Sequence, residues 1–106
     1  MKATVITEFG SPDVLVYRDW PKPKPKAGQV LIRTYMVGVN YADVHLRAGR
    51  SKKRPLPLLP GLEAAGDIIA VGEGVSDLQV GQPVVAYTVQ GSYAEVVLAQ
   101  ADLTYP

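Results

Sequence analysis

Two short stretches hold most of the side chains able to do chemistry. The first is Asn40-Tyr41-Ala42-Asp43, with His45 close behind. It offers an amide, a phenol, a carboxylate and the chain's one imidazole. The second is Gly61-Leu62-Glu63, which places a carboxylate just after a Pro-Gly turn, at the head of an apolar run. Metal chemistry is narrowly limited. There is no cysteine, which excludes thiolate metal sites and any disulfide framework. One imidazole does not make a zinc site, and His45 reads as an ordinary surface or partly buried helix residue. Nowhere does a Gly-x-Gly-x-x-Gly pattern link a strand to a helix, with an acidic residue about 20 positions on, as a dinucleotide site requires. Lys52-Lys53-Arg54 is a basic run in a proline-containing loop, the usual setting of solvated charge.

Charge and hydropathy exclude other classes. The net charge is +1, so no general attraction to nucleic acid or to an anionic membrane follows. No apolar run approaches the roughly 20 residues that span a bilayer. Residues 1–7 are too short and mixed for a signal peptide. A soluble, cytoplasmic protein is expected, with neither nucleic acid nor membrane as partner.

The 10 glycines and 9 prolines are spread between short apolar runs, the mark of many short strands joined by tight turns. Strands are expected at 2–8, 14–20, 29–39, 63–71, 84–89 and 93–98, the last two as a hairpin. Residues 21–28, Pro-Lys-Pro-Lys-Pro-Lys-Ala-Gly, place proline at alternate positions and cannot form a ladder. One helix is expected, the only one. Asn40 is its N-cap, Asp43 completes a capping box, and Gly49 stops it after Ala48. Arg50–Pro60 reads as a loop, and Ala99–Asp102 as a loop or single helical turn. Gly66 falls within the strand at 63–71 and Gly72 just after it, which predicts a sharp bend or the close approach of another backbone.

Three stretches carry a resemblance to a known family. They are Gly10-Ser11-Pro12-Asp13-Val14-Leu15; Gly38-Val39-Asn40-Tyr41-Ala42-Asp43 with Arg47-Ala48-Gly49; and Pro60 through Val75, continuing to Val80-Gly81-Gln82-Pro83-Val84. Together they resemble the N-terminal GroES-like domain of medium-chain dehydrogenases/reductases, and within that superfamily the zinc-free NADPH:quinone oxidoreductases. Zinc-dependent relatives carry Gly-His-Glu where this chain has Gly61-Leu62-Glu63. They also carry a cysteine three residues before an aspartate, where Asn40 precedes Asp43. An amide and an alkyl side chain cannot replace thiolate and imidazole, so no metal is expected.

The resemblance implies a mainly β fold, a GroES-like partly open barrel with one short helix. It implies that residues 1–106 form the N-terminal catalytic domain, with the nucleotide-binding Rossmann domain absent from this chain. It also implies that Asn40 and Tyr41 act at the nicotinamide of NADPH and at the substrate carbonyl, with capping and core packing as their other roles. Leu62, Asp43 and Glu63 would line the substrate pocket. Leu62 is then an apolar wall where a metal once sat, Asp43 a capping or cleft carboxylate, and Glu63 a carboxylate paired with Arg33 or Arg47. The implied substrate is a small apolar quinone or enone, reduced with NADPH that the isolated chain would not grip. Many quinone reductases carry a tyrosine just after the Gly49 position; Arg50-Ser51 stands here. Two other roles fit the residues: a stand-alone binding or assembly module, paired through exposed strand edges as a homo-oligomer, and an enoyl-reductase piece of a larger synthase.

Overall fold

The computed structural model describes residues 1–50 and 54–106. The basic run at 52–54 therefore lies largely outside the described residues. Six strands are seen: β1 (Lys2–Ile6), β2 (Leu15–Asp19), β3 (Gln29–Val37), β4 (Glu63–Val71), β5 (Pro83–Thr88) and β6 (Val96–Tyr105). One α-helix, α1 (Tyr41–Ala48), and a 3-10 turn at Pro12–Val14 complete the set. Strands β3, β4, β5 and β6 close into an antiparallel barrel, and β1 and β2 form a separate ribbon. The mainly β, GroES-like barrel with one helix is thus as expected, with the ring itself closed by four strands.

Alternation decides what faces inward. Along β4, Ala64, Gly66 and Ile68 are buried while their neighbours are more open, and along β5 Val84 and Ala86 are buried. Val5, Val30, Ile32, Val97 and Ala99 meet these residues in one core. The ribbon clamps the barrel through isolated bridges, Ala3 to Ala94 and Ile6 to Leu58. Ile6 and Leu58 exchange both backbone hydrogen bonds, at 2.9 and 3.0 Å. The segment ahead of β4 is therefore anchored, and Leu58, Leu59 and Pro60 are buried.

Three expectations are corrected. Val14 belongs to the 3-10 turn rather than to β2, its N–H bonded to the Ser11 carbonyl at 3.0 Å, and β2 has β1 as its sheet partner. The second correction is larger. Ala99–Asp102 is neither loop nor helical turn but the middle of β6. Its first half pairs with β3, from Val96 opposite Arg33 to Gln100 opposite Gln29, and its end pairs with β5, Tyr105 opposite Val85. Ala99 itself pairs with both strands, with Val30 of β3 and with Thr88 of β5. Ladder bonds, not side-chain propensity, hold this segment extended. Tyr93–Glu95, expected in the hairpin strand, instead bond to β1, with Thr4 N–H on the Tyr93 carbonyl at 2.8 Å.

Of the bend or close approach expected at Gly66 and Gly72, the close approach is seen, beside an irregular β4 ladder. The pairing of β4 with β3 slips twice, between Leu31 and Ile32 and between Thr34 and Met36. A Cβ on Gly66 would stand 1.9 Å from the Arg33 carbonyl oxygen, and one on Gly72 1.9 Å from that of Lys26. Both glycines let another backbone pass close by, which is the reading their positions suggested.

Candidate functional site

The helix start is built as its sequence dictates. Asn40 caps α1 in an extended conformation, and the Asp43 carboxylate reaches back to the Asn40 N–H at 2.9 Å, completing the capping box. The far end closes on Gly49, at φ 78°, with its N–H on the Leu46 carbonyl at 3.1 Å and the Arg50 N–H on His45 at 2.9 Å. That left-handed turn suits glycine. The cap fixes where Asn40 sits, and the amide nitrogen of Asn40 donates to Glu63 Oε1 at 3.4 Å. Two residues far apart in the chain thus meet at one spot.

Glu63 lines a cleft of about 460 Å³ on the outer face of the barrel. The cleft sits where the end of β3, the start of β4, β5 and the end of β6 converge, with Met36, Val37, Val85, Tyr87 and Tyr105 as its walls. Its walls are mainly apolar, and Glu63 is the one charged side chain in its lining. Most ligand clefts combine these two features, apolar walls and a few oriented polar groups.

The other expected residues, Leu62, Tyr41 and Asp43, are not in that lining. Leu62 is half exposed beside Glu63, at 48% of its full accessibility. Tyr41 is 71% exposed, which rules out core packing; its ring meets His45 edge-on, centroids 4.5 Å apart. Asp43 points inward, with 6% exposure. Its Oδ2 accepts from the Asn40 N–H and from the Tyr93 hydroxyl at 3.0 Å, and its Oδ1 accepts from the Gly61 N–H at 3.1 Å. It braces the cleft rather than lining it. Glu63 has neither of the cations expected for it. Arg33 faces Asp67 across the ladder, 3.8 Å away, four residues further along β4, and Arg47 donates to the Gly10 carbonyl. The β3–β4 register and the helix direction set both pairings.

Gly38 explains how Glu63 reaches Asn40. A Cβ on Gly38 would lie 2.3 Å from Glu63 Oε1 and 2.7 Å from its Cγ, so the carboxylate arm lies over the bare glycine. Gly38→Ala is expected to push that arm aside and break the Asn40–Glu63 bond. The arm is exposed and free to move, so stability should change by about 1 kcal/mol or less. The check is the Asn40 side-chain amide signal in two-dimensional NMR, read beside a melting curve; an unmoved amide signal would contradict this geometry.

Sequence reasoning missed Tyr87, Tyr105 and Tyr93. The signal for Tyr87 was the alternation that buries Val84 and Ala86 and turns Val85 and Tyr87 outward. Tyr93 gave no local signal. Burial, followed by its bond to the Asp43 carboxylate, pushes its phenol up to about 12. It keeps its proton, and so remains a donor, through the neutral range.

The donor set at Asn40 and Leu62 does not fit zinc, which takes imidazole, thiolate or carboxylate. Among the described residues no three His, Cys, Asp or Glu side chains gather as a metal site. No helix among them is long and apolar enough to cross a membrane.

A barrel of this topology, with an apolar outer cleft next to a capped helix, defines a class. The chain belongs to the alcohol dehydrogenase GroES-like domain family, whose model matches residues 26–106. Within it the similarity runs to quinone oxidoreductases of the medium-chain dehydrogenase/reductase superfamily. The quinone oxidoreductase of Rattus norvegicus is 41% identical over 109 residues, covering 100% of this chain and 33% of the relative. A mycobacterial protein solved in complex with NADPH is 41% identical, with a TM-score of 0.91 over 99% of this chain and 32% of its own. The Escherichia coli quinone oxidoreductase, also solved with NADPH, is 28% identical, with a TM-score of 0.93 over 98% of this chain and 32% of its own. The chain therefore spans about a third of the length of the curated relatives it matches.

Proposed function

We propose that this barrel is the substrate-side domain, residues 1–106, of an NADPH-dependent, zinc-independent reductase of quinones or activated enones. The observation that carries the reading is the Asn40–Glu63 pair at the edge of an apolar cleft. A carboxamide has two amide hydrogens, and Glu63 takes one. The other is available to a carbonyl oxygen, and the bond to Glu63 holds it in one orientation. Leu62, Met36, Val37 and Val85 offer apolar surface to a flat ring. Such a substrate is already electrophilic, so an oriented amide donor and a dry wall suffice in place of a Lewis acid.

The residues suit one end of the cofactor. Tyr41, exposed and flat, and the Asn40 amide match a nicotinamide ring and its carboxamide. When bound, NADPH supplies a hydride from C4 of that ring. For the pyrophosphate this chain has no glycine-rich turn between strand and helix. We place a nucleotide-binding domain over the apolar face formed by Met36, Val85, Tyr87 and Tyr105, all exposed here. The same face supports a second reading, a stand-alone binding or assembly module.

The test uses the labelled 106-residue chain and a fully substituted benzoquinone, which cannot add to lysine. Titration followed by two-dimensional NMR is expected to move Asn40, Tyr41, Leu62 and Glu63. NADPH and the quinone together should show no turnover at catalytic rates with this chain alone. Shifts confined to the Asp77–Gln82 segment would overturn the placement of the site. Shifts that vanish while the chain dimerises through the Tyr87 face would favour the assembly module.

A further inference from the structure

Tyr93 is not in the lining of the cleft, yet it bonds both to Asp43 in the first turn of α1 and to Pro60, just ahead of Glu63. Its hydroxyl donates to Asp43 Oδ2 at 3.0 Å, and the same carboxylate holds the Asn40 N–H at 2.9 Å and the Gly61 N–H at 3.1 Å. The Tyr93 backbone is fixed on both sides. Its N–H meets the Pro60 carbonyl at 3.2 Å, and its carbonyl accepts from Thr4 at 2.8 Å. Its ring lies so close over Gly61 that a Cβ there, at φ 104°, would be 2.9 Å from Tyr93 Cδ1. The ring therefore has little room to turn, and its hydroxyl is aimed at one oxygen. Asp43 has one carboxylate oxygen on Gly61, the residue that leads into Leu62 and Glu63, and the other on Asn40. A shift of that carboxylate changes the separation of Asn40 from Glu63.

We propose that Tyr93 is a positioning residue for the cleft. Through Asp43, its hydroxyl sets the placement of Asn40 against the Gly61–Glu63 segment. The functional part of this inference rests on the reading of Asn40 as the group that orients the substrate carbonyl. The geometric part does not. A phenol serves here because its rigid ring reaches the carboxylate without the rotamer freedom of a longer aliphatic donor, and because it stays neutral beside a carboxylate.

The experiment compares Tyr93→Phe with Thr34→Val in the 106-residue chain. Thr34→Val is the control: it removes a hydroxyl shared between the Ala94 and Glu95 carbonyls, at 2.7 and 3.0 Å, neither of them a partner of Asp43. Both should lower the melting temperature by a few degrees, as the loss of one hydrogen bond does. Only Tyr93→Phe is expected to shift the Asn40 side-chain amide signal and to speed amide exchange at Asn40 and Gly61, by about fivefold or more. It should also weaken the substituted benzoquinone by a similar factor. Unchanged Asn40 and Gly61 signals in Tyr93→Phe, with the melting temperature lowered, would reduce Tyr93 to a packing residue and overturn the proposal. The two readings separate in one further titration. If Asn40→Ala leaves quinone affinity unchanged, the functional role of Asn40 fails, and the exchange rates still decide whether Tyr93 places it.

Discussion

Gly66→Ala should be among the most destabilising single substitutions in the domain. The added methyl would stand 1.9 Å from the Arg33 carbonyl oxygen, 2.8 Å from the Arg33 carbonyl carbon and 3.0 Å from Ile32 Cγ2. Two of those atoms are backbone in the middle of β3, so no side-chain rotation relieves the clash. The position lies beside the second slip in the β3–β4 ladder, where Thr34 faces Gly66 and Met36 faces Ala65. To make room, β3 must separate from β4 inside a closed ring, and the strain then passes to β6 through Arg33 opposite Val96. A loss of about 3 kcal/mol or more is expected, at the upper end for single substitutions. A domain of this size holds about 5–15 kcal/mol in all. Gly72→Ala meets an equally close carbonyl, but on Lys26, outside any strand; that connection can yield, and the loss should be smaller. Urea unfolding followed by circular dichroism measures both. A Gly66→Ala loss below about 1 kcal/mol would mean that the strands are not so close.

Asp43→Ala should be the most damaging change among the polar residues. The carboxylate is buried and accepts from three donors: the Asn40 N–H, the Gly61 N–H and the Tyr93 hydroxyl. Alanine leaves all three without that acceptor. The three bonds are part-buried, and each stranded group costs about 1–3 kcal/mol before relaxation and rehydration. Allowing for relaxation, a loss of about 2–4 kcal/mol is expected. Asp43→Asn keeps the volume and one acceptor but turns an NH2 group toward a donor, so it should fall between wild type and alanine. The helix start and the Gly61 turn should loosen together, visible as coupled amide exchange. Loss at the helix alone would show that the carboxylate acts only as a cap.

Much of the fold was readable because its signals are local. The capping box at Asn40 and Asp43, the stop at Gly49 and the glycines at 66 and 72 each follow from the conformations a side chain permits. Strand β6 was hidden for the opposite reason. Ala99-Gln100-Ala101-Asp102 alternates, but its apolar members are alanines of weak strand preference, and it continues a strand that Ala99 ties to Val30 of β3 and to Thr88 of β5. The site divides in the same way. Asn40 and Glu63 were found from their types and their motif, yet Glu63's partner was misassigned, because only the register shows that Arg33 faces Asp67. Tyr93 lies 50 positions from Asp43, and no local pattern ties a lone tyrosine to a carboxylate so distant. Tyr87 and Tyr105 become a cleft only when β4, β5 and β6 lie side by side.

The central claim is that this barrel can act as the substrate half of a reductase, with Asn40 as its orienting group. The most direct measurement joins residues 1–106 to the remaining two-thirds of the rat quinone oxidoreductase, replacing that protein's own matching segment. NADPH consumption is then followed with a benzoquinone. Turnover is expected, with a fall in kcat of about 10- to 100-fold in Asn40→Ala, the range typical of a misplaced reacting pair. A folded chimera that binds NADPH but leaves the quinone unreduced would contradict the account, as would one that turns over equally well with alanine at position 40.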